Sequence, residues 1–134
     1  MNINTFSYFA DEYGYVRGAA NMKMEIWKRG PIGCGVDATE TFDNYKGGIY
    51  KENIKHPQIN HEISVVGWGK DPVTGEEYWI GRNSWGTYWV HCILLSYHED
   101  FQSIFQGEYG FFRIGMYGDN LGIETDCIWA TPKL

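Results

Sequence analysis

The chain has 134 residues, enough for one domain of modest size, and seventeen acidic against eleven basic residues leave a formal net charge of −6. That balance excludes the basic stripe that a nucleic-acid partner requires and the polybasic cluster of a membrane anchor. No apolar run approaches the roughly 20 residues that span a bilayer, and the opening residues lack the basic-then-apolar pattern of a signal peptide, so none is expected.

A hydrophobic fraction of 43%, with ten Tyr, seven Phe, six Trp and seventeen Gly, points to an ordered and β-rich body. Residues 16–27 have helical periodicity, with Val16, Ala19, Ala20, Ile26 and Trp27 on one face and Lys23 intruding on it. Gly30-Pro31 stops that helix. Residues 32–36 form a short apolar strand, and Gly47-Gly48-Ile49-Tyr50 follows a bend. Residues 61–68, rich in β-branched side chains, predict a strand. The Asp71-Pro72-Val73-Thr74-Gly75 turn leads to a return strand at Tyr78-Trp79-Ile80. Further strands are expected at 110–114 and 127–130.

Residues 90–106 break the pattern. They contain no Gly and no Pro, and Val90, Ile93, Leu94, Tyr97, Phe101, Ile104 and Phe105 keep helical spacing between strand-period segments. Three readings stay open: a retained intervening sequence or tolerated insertion, a partner-docking amphipathic helix, and a weak metal site at His91, Cys92 and His98. The last lacks a fourth ligand and a standard spacing, so the metal expectation for the chain is none, as is the cofactor expectation. The cysteine count is odd, with Cys34, Cys92 and Cys127, and composition alone does not pair them.

His61 opens its strand, and Asn83 follows twenty-two residues later in Arg82-Asn83-Ser84-Trp85-Gly86. A hairpin between them makes the two side chains candidate neighbours. An Asn oxygen can accept from an imidazole N–H and fix its tautomer, and an indole beside that bond can exclude water. The same pair also serves as an ordinary satisfied polar contact, and spacing alone leaves both possibilities.

The run Ile59-Asn60-His61-Glu62 through Val65-Val66-Gly67-Trp68-Gly69, and the run Tyr78-Trp79-Ile80-Gly81-Arg82-Asn83-Ser84-Trp85-Gly86, resemble the histidine and asparagine segments of papain-like cysteine peptidases. Gly30-Pro31-Ile32, Tyr45-Lys46-Gly47-Gly48-Ile49-Tyr50 and Gly107-Glu108-Tyr109-Gly110-Phe111-Phe112-Arg113-Ile114 match three more segments, all in family order. Gly30-Pro31-Ile32-Gly33-Cys34-Gly35 and Ala38-Thr39-Glu40 are most similar to one cathepsin branch of the family. The resemblance covers nearly all of the chain outside residues 90–106. Joining Trp89 to Gly107 restores the family pattern without a gap.

The resemblance implies an α+β fold. The chain would be the C-terminal, antiparallel and barrel-like β domain of the papain fold, with one N-terminal helix and without the family's N-terminal helical half. It implies His61 and Asn83 as catalytic residues, Trp85 as the shield of their bond, Gly35 near a substrate-pocket wall, and a Cys34–Cys127 disulfide. A strand glycine at position 35 equally serves close backbone packing. The implied partners are a peptide or protein substrate and the missing N-terminal half, with no nucleic acid and no membrane. The implied residence is lysosomal or extracellular.

The nucleophile does not fit within these residues. The family places its cysteine on the order of 130–150 residues before the histidine, and only sixty residues precede His61. Cys34 lies in an apolar strand pattern and not at a helix N-terminus, where a thiol pKa falls. Cys92 and Cys127 follow the histidine. The oxyanion hole, built in the family around the nucleophile's own N–H and an upstream glutamine, is missing too. The expectation is a cysteine peptidase by family whose isolated 134-residue chain is inactive. The alternative is a non-catalytic peptide-binding module on the same scaffold.

Overall fold

The computed structural model describes residues 9–87, 89, 108–118 and 120–133. The helix-period segment at 90–106, with His91, Cys92 and His98, lies outside the described residues. Seven strands and two helices follow one another as β1 (Ala10–Val16), α1 (Ala19–Arg29), β2 (Ile32–Val36), α2 (Glu40–Asp43), β3 (Ile49–Tyr50), β4 (His61–Lys70), β5 (Glu77–Arg82), β6 (Phe111–Gly115) and β7 (Cys127–Pro132). The strands form one sheet in the order β1-β7-β2-β4-β5-β6-β3. Five neighbouring pairs are antiparallel; the sixth, β3 with β6, is parallel. The order runs open from β1 to β3 and does not return on itself.

The helix starts later than periodicity suggests. Val16 ends β1, and Gly18 at φ 77° turns the chain into α1. Ala19, Met22 and Ile26 form the buried stripe, whereas Trp27, assigned by spacing to the apolar face, is 85% exposed. Lys23 stands at the edge of that stripe, with its ammonium 2.8 Å from Glu77 Oε1. Lys28 and Arg29 in the last turn complement the helix dipole, and Gly30 at φ 94° ends it. β1 itself has no alternating apolar signal. It exists because its backbone pairs with β7, more than a hundred residues away in sequence.

The predicted hairpin is present. Asp71 Oδ1 accepts from the backbone N–H of Val73 at 2.9 Å and of Thr74 at 2.7 Å, and Gly75 takes φ 73°. These same N–H groups hold the Asp71 carboxyl below the usual carboxylate range. A register shift between Val65 and Gly67 on β4 marks a bulge against β5. Beneath the sheet Ile32, Val36, Val65, Trp79, Phe112 and Ile114 are fully or almost fully buried. The Trp79 indole N–H donates to Glu124 Oε1 at 2.9 Å, which satisfies its one polar atom. Gly81 has no side chain because the ring of Phe112 lies across it.

Cys34 on β2 and Cys127 on β7 are register partners, with Cα atoms 4.1 Å apart, and they form a disulfide buried in the core. It closes a separation of 93 residues and ties the strand beside His61 to the last strand of the chain.

Candidate active site

His61 is the first residue of β4 and pairs with Val36, the last residue of β2. Its approach is tied down on both sides. Asn60 Oδ1 accepts from Ala38 N–H at 2.8 Å, and Asn60 N–H donates to Val36 O at 3.1 Å. Asn83 follows the last residue of β5, and its backbone N–H donates to Gly110 O at 2.9 Å. The hairpin that joins β4 to β5 therefore delivers the two side chains to the same end of the sheet.

They meet there. His61 Nε2 and Asn83 Oδ1 are 2.8 Å apart. The Ser84 backbone N–H donates to the same Oδ1 at 2.7 Å, which identifies that atom as the amide oxygen. An oxygen can only accept, so Nε2 carries the proton and donates it, leaving Nδ1 as the free basic nitrogen. Nδ1 makes no hydrogen bond among the described residues. Asn83 is buried, and its Nδ2 has no partner among the described residues.

The indole of Trp85 stacks on the imidazole, with ring centroids 4.7 Å apart and planes inclined by 26°. Trp85 is 37% exposed, so one face covers His61 while part of the ring meets solvent. Behind it lies a nest of rings that spacing did not single out. Phe42, from the four-residue α2, is fully buried and touches Tyr45, Tyr50, Trp85, Trp89 and Phe112 at centroid distances of 5.0–6.4 Å. A helix of one turn has no periodicity to display, so nothing in the local pattern marks Phe42 as more than an aromatic in a loop.

The nest ends in polar anchors. Tyr45 Oη donates to Gly48 O at 2.6 Å, lies 3.1 Å from Glu108 Oε1 and accepts from Arg113 N–H at 3.2 Å. Burial pushes its phenol well above the ordinary tyrosine value. Burial, then the hydrogen bond to Glu52, pushes Tyr50 up to about 12. Both groups stay protonated donors at any physiological pH.

Gly35 pairs with Glu62, one register step from the Val36–His61 pair. A Cβ built on it would fall on the side chain of Ile59 and lie 3.4 Å from Glu62 Oε1. The bare Gly35 lets Ile59, two residues before His61, lie flat against the sheet. Cys34 and Cys127 are consumed by their disulfide and present no thiol to the imidazole.

A family model described as papain family cysteine protease matches residues 3–100. A cathepsin Z from Onchocerca volvulus is 45% identical over 132 residues, covering 93% of this chain and 37% of the relative's length. This is the cathepsin branch to which the Gly30–Gly35 run is most similar. The bromelain protease of Ananas comosus, solved with the E64 inhibitor, superposes with a TM-score of 0.70 at 28% identity, covering 92% of this chain and 51% of that one. A digestive procathepsin L2 from Tenebrio molitor larval midgut gives a TM-score of 0.70 at 26% identity over 91% and 34% of the respective chains. The chain thus spans well under half the length of this Onchocerca relative. Among the described residues no helix is long and apolar enough to cross a membrane.

Proposed function

Because the chain belongs to the papain family of cysteine proteases, we propose that it carries the histidine and asparagine of a Cys-His-Asn peptidase site whose thiol comes from residues outside these 134. The carrying observation is the 2.8 Å contact between His61 Nε2 and Asn83 Oδ1 beneath the stacked Trp85. That contact dedicates Nε2 to the asparagine and leaves Nδ1 for a thiol.

In the proposed reaction, Nδ1 takes the thiol proton, and the resulting thiolate attacks the scissile carbonyl carbon of a peptide or protein. The imidazolium then gives its Nδ1 proton to the departing amine as the carbon–nitrogen bond breaks. A water, deprotonated by the same nitrogen, cleaves the thioester and releases the acid and the free thiol. Throughout, Asn83 stops the ring from rotating and Trp85 keeps water from competing for the Nε2 proton. Gly35 sits behind the non-primed side of the groove, with Ile59 and Glu62 as the surface beside His61, and Trp85 walls the primed side. Lysosomal or extracellular residence belongs to the same proposal.

The 134-residue polypeptide alone is expected to show no hydrolysis of a fluorogenic peptide, since the family's spacing puts the thiol and its oxyanion hole upstream of these residues. Joined to the remainder of the Onchocerca cathepsin Z, it is expected to give turnover that E64 abolishes. His61→Ala should remove that turnover, and Asn83→Ala should reduce it by roughly 10²-fold or more. E64-sensitive turnover by the polypeptide alone would overturn the assignment of the nucleophile. A folded but inactive chimaera that still binds peptide would favour the non-catalytic binding module instead.

A further inference from the structure

His61 is the first residue of β4, and a strand end frays unless the chain leading into it is fastened. That chain is Pro57-Gln58-Ile59-Asn60, and residues 57–59 belong to no strand. Asp37 fastens them. Its Oδ2 accepts from Gln58 N–H at 2.8 Å, and its Oδ1 lies 3.5 Å from Asn60 Nδ2. The second contact turns the amide nitrogen of Asn60 toward Asp37 and so leaves Asn60 Oδ1 for Ala38 N–H, at 2.8 Å. An ionised acceptor makes the stronger kind of hydrogen bond.

Asp37 is itself anchored. Its backbone N–H donates to Leu121 O at 2.9 Å, and the residue before it, Val36, is the register partner of His61. Ile59, between the two fastened residues, is seated on bare backbone. A Cβ on Gly35 would fall on Ile59 Cγ2, and one on Gly122 would meet Pro57 and, at 3.2 Å, Ile59 Cδ1. These apolar contacts set how closely the segment lies. They have no direction along the chain, so they do not set where along β2 it stops. The hydrogen bond from Gln58 N–H to Asp37 has that direction.

The geometry points to Asp37 as a positioning residue that places the His61 imidazole by mooring Gln58 and Asn60 to the end of β2. Asn83 holds the ring at Nε2. Asp37 holds the backbone from which the ring springs. Without its carboxylate, Gln58 N–H loses its acceptor, the first pair of the β2–β4 ladder frays, and the bond to Asn83 must hold the ring alone. The consequence for turnover rests on the proposed role of His61. The placing of the ring does not, so the two can fail separately.

The test uses proton and nitrogen-15 NMR of the 134-residue chain, with the kinetics of the chimaera beside it. Asp37→Ala and the similarly sized Asp37→Leu remove the acceptor, whereas Asp37→Asn keeps a side-chain oxygen for Gln58 N–H. Both apolar variants are expected to shift the His61 ring signals and to speed exchange of the Asn60 amide and the His61 Nε2 proton about threefold to tenfold, the worth of one hydrogen bond. Asp37→Asn should restore most of this. In the chimaera kcat should fall by a similar factor with KM unchanged. Asp71→Ala is the control, because it strips the same kind of carboxylate from two backbone N–H groups at the turn of the hairpin. It should lower stability and leave the His61 signals in place. Unchanged His61 signals in the folded apolar variants, no rescue by Asp37→Asn, or an equal change in Asp71→Ala would overturn the assignment. So would unfolding of both apolar variants while Asp71→Ala folds, because Asp37 would then serve folding only. An inactive parent chimaera together with the expected NMR changes would sink the peptidase reading and uphold Asp37.

Discussion

The chemistry of His61 follows from what surrounds two of its atoms. Nε2 is committed to Asn83, whose oxygen is held in turn by Ser84 N–H, and the ring face is committed to Trp85. Motif spacing made both partners legible, because a hairpin of known length brings its two ends together. Gly35 is a different case. Its type was legible, but its purpose came from Ile59, which occupies the space a side chain would need. Gly35→Ala is expected to lower stability by about 1–3 kcal/mol through overpacking. Adding Ile59→Ala to it should recover most of that loss, since the two changes share one volume. Urea denaturation of the single and double variants measures the coupling, and simple additivity would show that the contact is not the cause.

Among the elements, the β4–β5 hairpin was the most legible. Asp71 and Gly75 encode a turn locally, and the β-branched run before it encodes a strand. β1 and α2 were not legible, for opposite reasons. β1 is made by pairing with β7, which no local window contains. α2 is a single turn that no propensity sustains, held by one cap and by the rings around Phe42. Thr39→Ala removes the cap and one of the two hydroxyl donors to Glu52. It is expected to cost about 1–2 kcal/mol, and Thr39→Ser should restore most of it because the serine hydroxyl fills both roles. Equilibrium unfolding of the pair checks this; equal stability of the alanine variant and the parent would show that α2 does not depend on its cap.

At the scale of the whole molecule, the disulfide is a long-range covalent link, joining β2 to β7 across 93 residues. Closing a loop of that length restricts the unfolded chain enough to contribute about 4–5 kcal/mol. Replacing Cys34 and Cys127 together by Ala should therefore lower the unfolding free energy by several kcal/mol, and reduction of the parent should do the same. A loss below about 1 kcal/mol in denaturant titration would show that the core around the bond, and not the cross-link, holds these strands.

The amino-acid sequence alone determined the family, most strands, the hairpin and the identity of the histidine–asparagine pair, because each is carried by residue types at short, regular separations. Only the tertiary structure decided the parallel β3–β6 pairing, the edge strand β1, the exposure of Trp27 and the placing of Phe42 behind Trp85. Each of these depends on contacts between segments far apart in the chain, whose energies belong to the folded arrangement and to no single stretch of residues.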